Sequence, residues 1–454
     1  MVFNSVEFLL CFLPIFIFIY YLTPARYRNF ILLTGSLLFY AYGEPVYVFL
    51  LVVSSVINFA AGKSLVIKRK KQINKNRALY AFIVAVDVLV LVFFKWVPRM
   101  YWMPDSIGMP LGISFYTFQI ISYLTDVYRG EIKAEHSFIR LGTYISMFPQ
   151  LVAGPIVSYN EVAKDLRQRP YRLADMDKGM KNFVYGLSLK VLLADRLALL
   201  WHDLQTVGFA SISTPLAWMG AIGFSMQIYF DFYGYSLMAV GLGQMLGFSL
   251  PENFFQPYMA KSVREFYRRW HATLGRWFRN YVYIPLGGSR KRTLRTIFNL
   301  LVVWILTSFW HGGSINFLLW GLALWLLIVL ERLIDKKNLL SKGKVLPHIY
   351  VLFVIPLTWM CFAIPDLSDL RIYFGRLFGL TAGINVNTGD ITKQLQNFGI
   401  LFVTGFFMCT PLPKRLFERF KDSIPGMLVL AVLFWRCVWR IMIEGNNPFM
   451  YSRF

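Results

Sequence analysis

Apolar runs long enough to cross a bilayer recur along this chain, separated by short basic segments. A helix needs roughly 20 apolar residues to span the hydrocarbon core, and shorter ones suffice inside a bundle. On that scale about twelve runs qualify, near 8–23, 30–43, 46–62, 79–96, 111–128, 180–202, 216–248, 297–311, 314–333, 349–364, 398–412 and 424–443. The fold class expected is all-α, a polytopic membrane protein with about 11–12 transmembrane helices and additional re-entrant or interfacial helices. The stretch 141–156 is also apolar but is broken by Pro149, Gly154 and Pro155. It reads as re-entrant or interfacial, since irregular backbone at that depth must be covered by protein. One transmembrane domain over 1–454 is expected, with no detachable soluble module.

Composition supports the same class. Apolar residues make up 57% of the chain, charged residues only 16%, and the mean hydropathy is +0.51. That is too little polar surface for a soluble globule of this length. The net charge of +23 would suggest nucleic acid if it were spread over a soluble domain. Here the basic residues cluster between apolar runs, which points to the bilayer and its anionic headgroups as partner. Cys11, Cys361, Cys409 and Cys437 are scattered without CxxC spacing and read as small hydrophobes, not as a disulfide frame or a metal site. The opening MVFNSVEFLLCFLP has Glu7 and no basic n-region, so an uncleaved first span is expected.

Orientation follows from the basic loops. Arg26 and Arg28 follow the first run, and Lys63, Lys68, Arg69, Lys70, Lys71, Lys75 and Arg77 follow the third. The positive-inside rule makes both loops cytoplasmic, which places the N-terminus outside. Continuing the count puts 129–178, 249–296, 332–344 and 414–422 inside, and leaves 203–215, 365–397 and the tail 444–454 outside.

The segment 249–296 concentrates charge. Lys261, Arg264, Arg268, Arg269, Arg276, Arg279, Arg290, Lys291, Arg292 and Arg295 are opposed by Glu265 alone between Lys261 and Arg295. At helical spacing, Phe266, Trp270, Leu274, Trp277 and Phe278 form one apolar stripe, with Arg264, Arg268 and Arg279 off it. That is the pattern of an interfacial amphipathic helix. Either this helix simply rests in the headgroup layer, or its arginines also receive an anionic ligand such as the phosphates of coenzyme A. Arg268, Arg269, Trp270 and Arg276 are the donor-binding candidates.

His271 follows Trp270 in this segment, and His311 follows Trp310 at the end of an apolar run. A titratable side chain at membrane depth is a functional-site hypothesis by default. His271 also suits an interfacial hydrogen bond. His311 precedes Gly312 and Gly313, where the backbone can bend or admit a ligand, and is read as a general base or as a satisfied core residue. Gln227 and Asp231 lie four residues apart on one helix face. Asp231 is expected to pair with Arg, His or Tyr near the site, or to form a purely structural pair. There is no HExxH, carboxylate cluster or Gly-rich phosphate loop, so neither a metal nor a resident cofactor is expected.

The motifs RRWHATLGRWFRNYVYIPLGG (Arg268 to Gly288) and SFWHGGSINFLLWG (Ser308 to Gly321), with their histidines 40 positions apart, resemble the membrane-bound O-acyltransferase family in its bacterial alginate O-acetyltransferase branch. The resemblance runs over nearly the whole chain through MVFNSVEFL, LLTGSLLFYAYGEP, LGISFYTFQIISYLTDVYRG, MFPQLVAGPIV and YFDFYGYSLMAVGLG. It implies the fold of that family, with His311 as the catalytic residue and His271 completing the site. It also implies acetyl transfer from cytosolic acetyl-CoA to an envelope polysaccharide or exopolysaccharide, in the bacterial inner membrane. Trp310 and Trp270, beside the histidines, fall in the donor-binding region. The tail NPFMYSRF resembles an aromatic terminus whose tyrosine carries the acyl group, which would make Tyr451 a relay to a periplasmic SGNH-type transferase. The tail also reads as an aromatic-belt anchor. Ser452 and Ser158 depart from the family pattern. Two alternatives stay open at this point: a D-alanyl transferase-like relative fed by an acyl carrier protein, and a non-catalytic transporter or flippase.

Overall fold

A computed structural model of the protein describes residues 1–65, 73–96, 108–169, 172–290, 292–334, 343–445 and 450, with 73–75 as backbone alone. Tyr451 and Ser452, the loop cations Lys68, Arg69, Lys70 and Lys71, and Lys291 lie outside the described residues. Among the described residues every regular element is a helix.

Two compact units emerge. Among the described residues, the first comprises those within 1–184, 235–252 and 441–450; the second comprises those within 185–234 and 253–440. In the first unit, a π turn Glu7–Phe12 runs into α1 (Leu13–Leu22), followed by α2 (Arg28–Gly43), α3 (Tyr47–Ser64), α4 (Ile73–Trp96) and α5 (Ile113–Arg129). α5 is buried without interruption from Ile113 to Val127, so its serines, its threonines, Tyr116 and Tyr123 face protein. The broken apolar segment forms α6 (Phe138–Ser146) and the single turn α7 (Phe148–Leu151), and it is buried throughout, as such a backbone requires. Phe148 sits among Phe3, Phe8, Phe12, Phe16 and Phe39 at ring separations of 5.3–6.4 Å. α8 (Tyr159–Arg167) starts on a capping box in which Ser158 and Glu161 satisfy each other's backbone amides.

α9 (Leu173–Ser188) continues through a π turn, Leu189–Ala194, into α10 (Asp195–Val207), and α11 (Thr214–Met245) follows. The second unit then adds α12 (Val263–Arg269), α13 (Ala272–Phe278), a π turn Arg279–Tyr283, α14 (Thr293–His311), α15 (Ile315–Ile334), α16 (Leu346–Ala363), α17 (Leu367–Leu377), α18 (Asp390–Met408), α19 (Pro411–Phe420) and α20 (Ile424–Glu444).

Each of the twelve apolar runs falls on helix, but fewer of them qualify as spans than the 11–12 expected. Among the described residues six helices are long and apolar enough to cross a membrane, or seven if α18 and α19, bent by 77°, count as one. The shortfall has a physical cause. α2 and α5 have 16 and 17 residues, and α11, at 32 residues, mixes Gly, Ser, Gln, Asp and Tyr into its apolar sequence. Protein-facing helices inside a membrane bundle tolerate such residues; lipid-facing ones do not.

Candidate active site

The segment carrying His271 breaks where its periodicity predicts one amphipathic helix. Ser262 caps α12 by accepting the Glu265 amide at 3.0 Å, and the Glu331 carboxylate on α15 accepts the amides of Val263 at 2.5 Å and Arg264 at 3.1 Å. An acidic side chain against these first-turn donors anchors the helix start. At the other end Trp270 is extended (φ −92°, ψ 127°), and His271 adopts left-handed backbone (φ 43°, ψ 51°) before α13 begins. That conformation costs a non-glycine residue of order 1–3 kcal/mol and persists only where the surroundings impose it. Here the Ala272 amide donates to the Asn253 carbonyl at 2.9 Å, and the Phe255 amide donates to the Arg269 carbonyl at 3.0 Å. The expected stripe is accordingly buried in protein: Trp270 packs on Trp359, Phe254, Phe266 and Tyr229 at 5.0–6.0 Å. Arg264, Arg268 and Arg279 do stay exposed.

The neighbours of His271 determine its tautomer. Asn253 Oδ1 accepts the Thr273 backbone amide at 3.3 Å and the Thr273 hydroxyl at 2.6 Å, so this atom is the amide oxygen. His271 Nδ1 lies 3.2 Å from it and must therefore be the N–H donor, which leaves Nε2 as the basic nitrogen. The Phe232 ring meets the imidazole edge-on at 4.6 Å. Burial pushes the imidazole down to about 3, so His271 is neutral at physiological pH. A depressed value contributes stability that is present above the ordinary histidine value of 6.5 and is lost as pH falls toward about 3. His271→Asn, which tolerates the left-handed backbone, should flatten acid destabilisation over that interval when thermal unfolding is followed in detergent. An unchanged pH dependence would show that other groups govern it.

His311 is the last residue of α14. Its ring is walled by Trp310 at 4.6 Å, Trp320 and Phe362 at 5.1 Å each, and Phe317 at 6.2 Å. Trp310 lies 6.2 Å from the His271 ring as well, so one indole borders both histidines. The close approach of α15 to α14 depends on Gly321: a Cβ there would fall 1.9 Å from Ser308 Oγ and 3.0 Å from the Trp304 carbonyl. Three buried donors belong to the same cluster and have no acceptor among the described residues: Nε1 of Trp320, Nε1 of Trp359 and Nδ2 of Asn253. The site therefore holds two imidazoles bordered by one indole within an aromatic enclosure.

The profile of the membrane-bound O-acyltransferase family matches residues 37–364, a region containing both histidines and every wall residue named above. The chain belongs to that family. Its relatives include a probable alginate O-acetylase of Azotobacter vinelandii, 36% identical with the whole of each chain covered. A peptidoglycan O-acetyltransferase of Helicobacter pylori is 31% identical over 88% of this chain and 83% of its own. A teichoic acid D-alanyltransferase of Bacillus subtilis is 27% identical over 58% of this chain and 70% of its own. The protein is thus a multi-pass membrane acyltransferase, and the non-catalytic transporter alternative drops out.

In this acyltransferase the structure brings His271, His311, Trp270 and Trp310 into one cluster, but not all the other candidates. Arg269 is bound to Glu265 at 2.6 Å and reaches the carbonyls of Phe255 and Gln256, so it clamps the loop. Arg268 is 77% exposed and Arg276 is exposed. Gln227 is buried, and its Oε1 accepts from no described donor. Asp231 pairs with Lys190 at 2.7 Å, and Lys190 also reaches Asp195 at 2.5 Å. The π turn after α9 carries Lys190 inward, and its helix approaches α11 at Gly234, where a Cβ would lie 2.6 Å from the Gly186 carbonyl. Sequence reasoning missed Lys190, Asn253, Trp320, Trp359 and Glu331. Lys190, in the apolar run SLKVLLA, carried a legible signal, being a cation at spanning depth.

Proposed function

We propose that this acyltransferase takes an acetyl group from cytosolic acetyl-CoA and delivers it across the bacterial inner membrane for O-acetylation of an envelope polysaccharide or exopolysaccharide. The observation that carries the reading is His311 at the end of α14, enclosed with His271 around Trp310. The O-acetylating relatives cover nearly all of the chain, whereas the D-alanylating one covers 58% of it, which favours acetyl. In this reading residues 1–454 form one transmembrane domain.

In this mechanism His311 takes the proton of an acceptor hydroxyl. The oxygen attacks the thioester carbonyl, the new C–O bond forms as the C–S bond breaks, and the proton passes from His311 to the departing thiolate of CoA. The Trp320 and Trp359 indoles and the Asn253 amide supply donors for the oxyanion. Neutral His271, its Nδ1–H held by Asn253, presents Nε2 to the reacting groups. Exposed Arg268 and Arg276 meet the donor's phosphates on the cytoplasmic side. Tyr451, on an outward-facing tail, supplies the accepting hydroxyl and hands the acetyl to a periplasmic SGNH-type transferase.

Mass spectrometry of the C-terminal peptide after incubation with acetyl-CoA tests the relay in wild type, His311→Ala and Tyr451→Phe. An adduct on Tyr451 that is absent from His311→Ala is expected. Consumption of acetyl-CoA by wild type without any adduct would overturn the relay. Acyl uptake only from an acidic carrier protein would replace acetyl-CoA with the D-alanyl type of donor.

A further inference from the structure

The first unit contains a basic pocket that the acyl-transfer site does not use. It has a volume of about 370 Å³ and is built by the turn between α1 and α2, the start of α6 and the end of α8. Five arginines line it, Arg26, Arg28, Arg140, Arg167 and Arg169, with Asp165 as the acid among them. Arg140 is neutralised by Glu135 at 2.7 Å. The other four have no carboxylate partner among the described residues: Arg169 donates to the Tyr20 hydroxyl at 3.1 Å and the Asp165 carbonyl at 2.9 Å, and Arg28 lies over Tyr20 and Tyr21. Asp165 itself accepts the Ser249 amide at 3.2 Å. The nine-residue helix α6 adds the positive end of its dipole through Ser137 and Ile139.

Four unneutralised guanidinium groups around one pocket call for an anion with several oxygens, and guanidinium geometry suits phosphate. A further observation narrows the ligand. Ile139, which lines the pocket, is 39% exposed, and Leu22 and Phe30, close in the chain to the lining residues Ala25 and Asn29, are 69% and 51% exposed, apolar side chains of the kind that meet acyl chains in a membrane protein. We propose that this pocket is a phosphate-ester site occupied by a phospholipid headgroup of the surrounding leaflet, with its phosphate on Arg26, Arg28 and Arg167.

Native mass spectrometry of the full chain in detergent, titrated with phosphatidylglycerol, tests this. Arg26→Gln/Arg28→Gln/Arg167→Gln should bind roughly tenfold more weakly, while Arg371→Gln/Lys393→Gln, exposed in the other unit and outside its basic segment, should match wild type. Equal binding by wild type and the pocket variant would overturn the proposal. Glycerol 3-phosphate serves as the soluble competitor. Weak competition supports the lipid source, and displacement at low millimolar concentration with no preference for the lipid would assign the site to a soluble phosphate ester instead. In wild type, independent of any variant's folding, phosphatidylglycerol bearing a photoactivatable headgroup should label peptides within 22–30 or 161–169. Labelling confined elsewhere would overturn the proposal.

Discussion

Replacing His311 with alanine should reduce acetyl transfer by about 10²–10⁴-fold, the usual contribution of a positioned general base. The ring sits within 4.6–6.2 Å of four aromatic side chains, and no other imidazole occupies that position at the end of α14. Acetyl-CoA turnover in proteoliposomes gives the readout, with thermal unfolding in detergent to separate lost chemistry from lost fold. His311→Gln keeps most of the volume and should be nearly as inactive. Either variant within tenfold of wild type would remove His311 from the base role. His271→Asn retains the left-handed backbone and an amide in place of the imidazole, and should lower turnover without moving the pH profile from about pH 6 to about pH 8, because the imidazole is neutral across that range.

Lys190→Met should destabilise the fold by about 3–5 kcal/mol, the effect of removing one partner from a buried ionic group. Lys190 is 1% exposed in its side chain and is shared by Asp195 and Asp231, whose carboxylates would face each other without their common cation. The measurement is the unfolding midpoint in detergent. Lys190→Met/Asp231→Asn should recover part of the loss, since the second change removes a buried charge. A Lys190→Met protein as stable as wild type would mean that the triad is solvated and not structural. The triad also bears on the site, because Phe232, next to Asp231, packs against the His271 ring at 4.6 Å.

Much of the fold and part of the site are legible in the sequence. Apolar run length identifies the helices, and the His311 motif lies at the end of one, because a helix terminus followed by Gly-Gly is written locally. The stripe Phe266, Trp270, Leu274, Trp277 and Phe278 reads correctly as apolar, but helical periodicity carries it straight through His271, where the chain breaks. The reason is that the break comes from long-range bonds: the Asn253 carbonyl takes the Ala272 amide, and Glu331, on α15, takes the amides of Val263 and Arg264. Nothing in the local propensity of RRWHATLG marks a left-handed residue. Asp231 is recognisable as needing a counter-ion, but its partner is not, because the inward swing of Lys190 depends on a π turn that periodicity does not announce.

Run length, composition and contiguous motifs thus suffice for the all-helical membrane class and the family, since each is written in neighbouring residues. Packing in three dimensions settles which tautomer His271 holds, which indoles enclose His311, which carboxylate holds Arg269, and where Asp231 finds its cation. Those outcomes depend on side chains from helices far apart in the chain meeting in a low-dielectric interior. There a charge or an N–H group must find a partner wherever the packing places one.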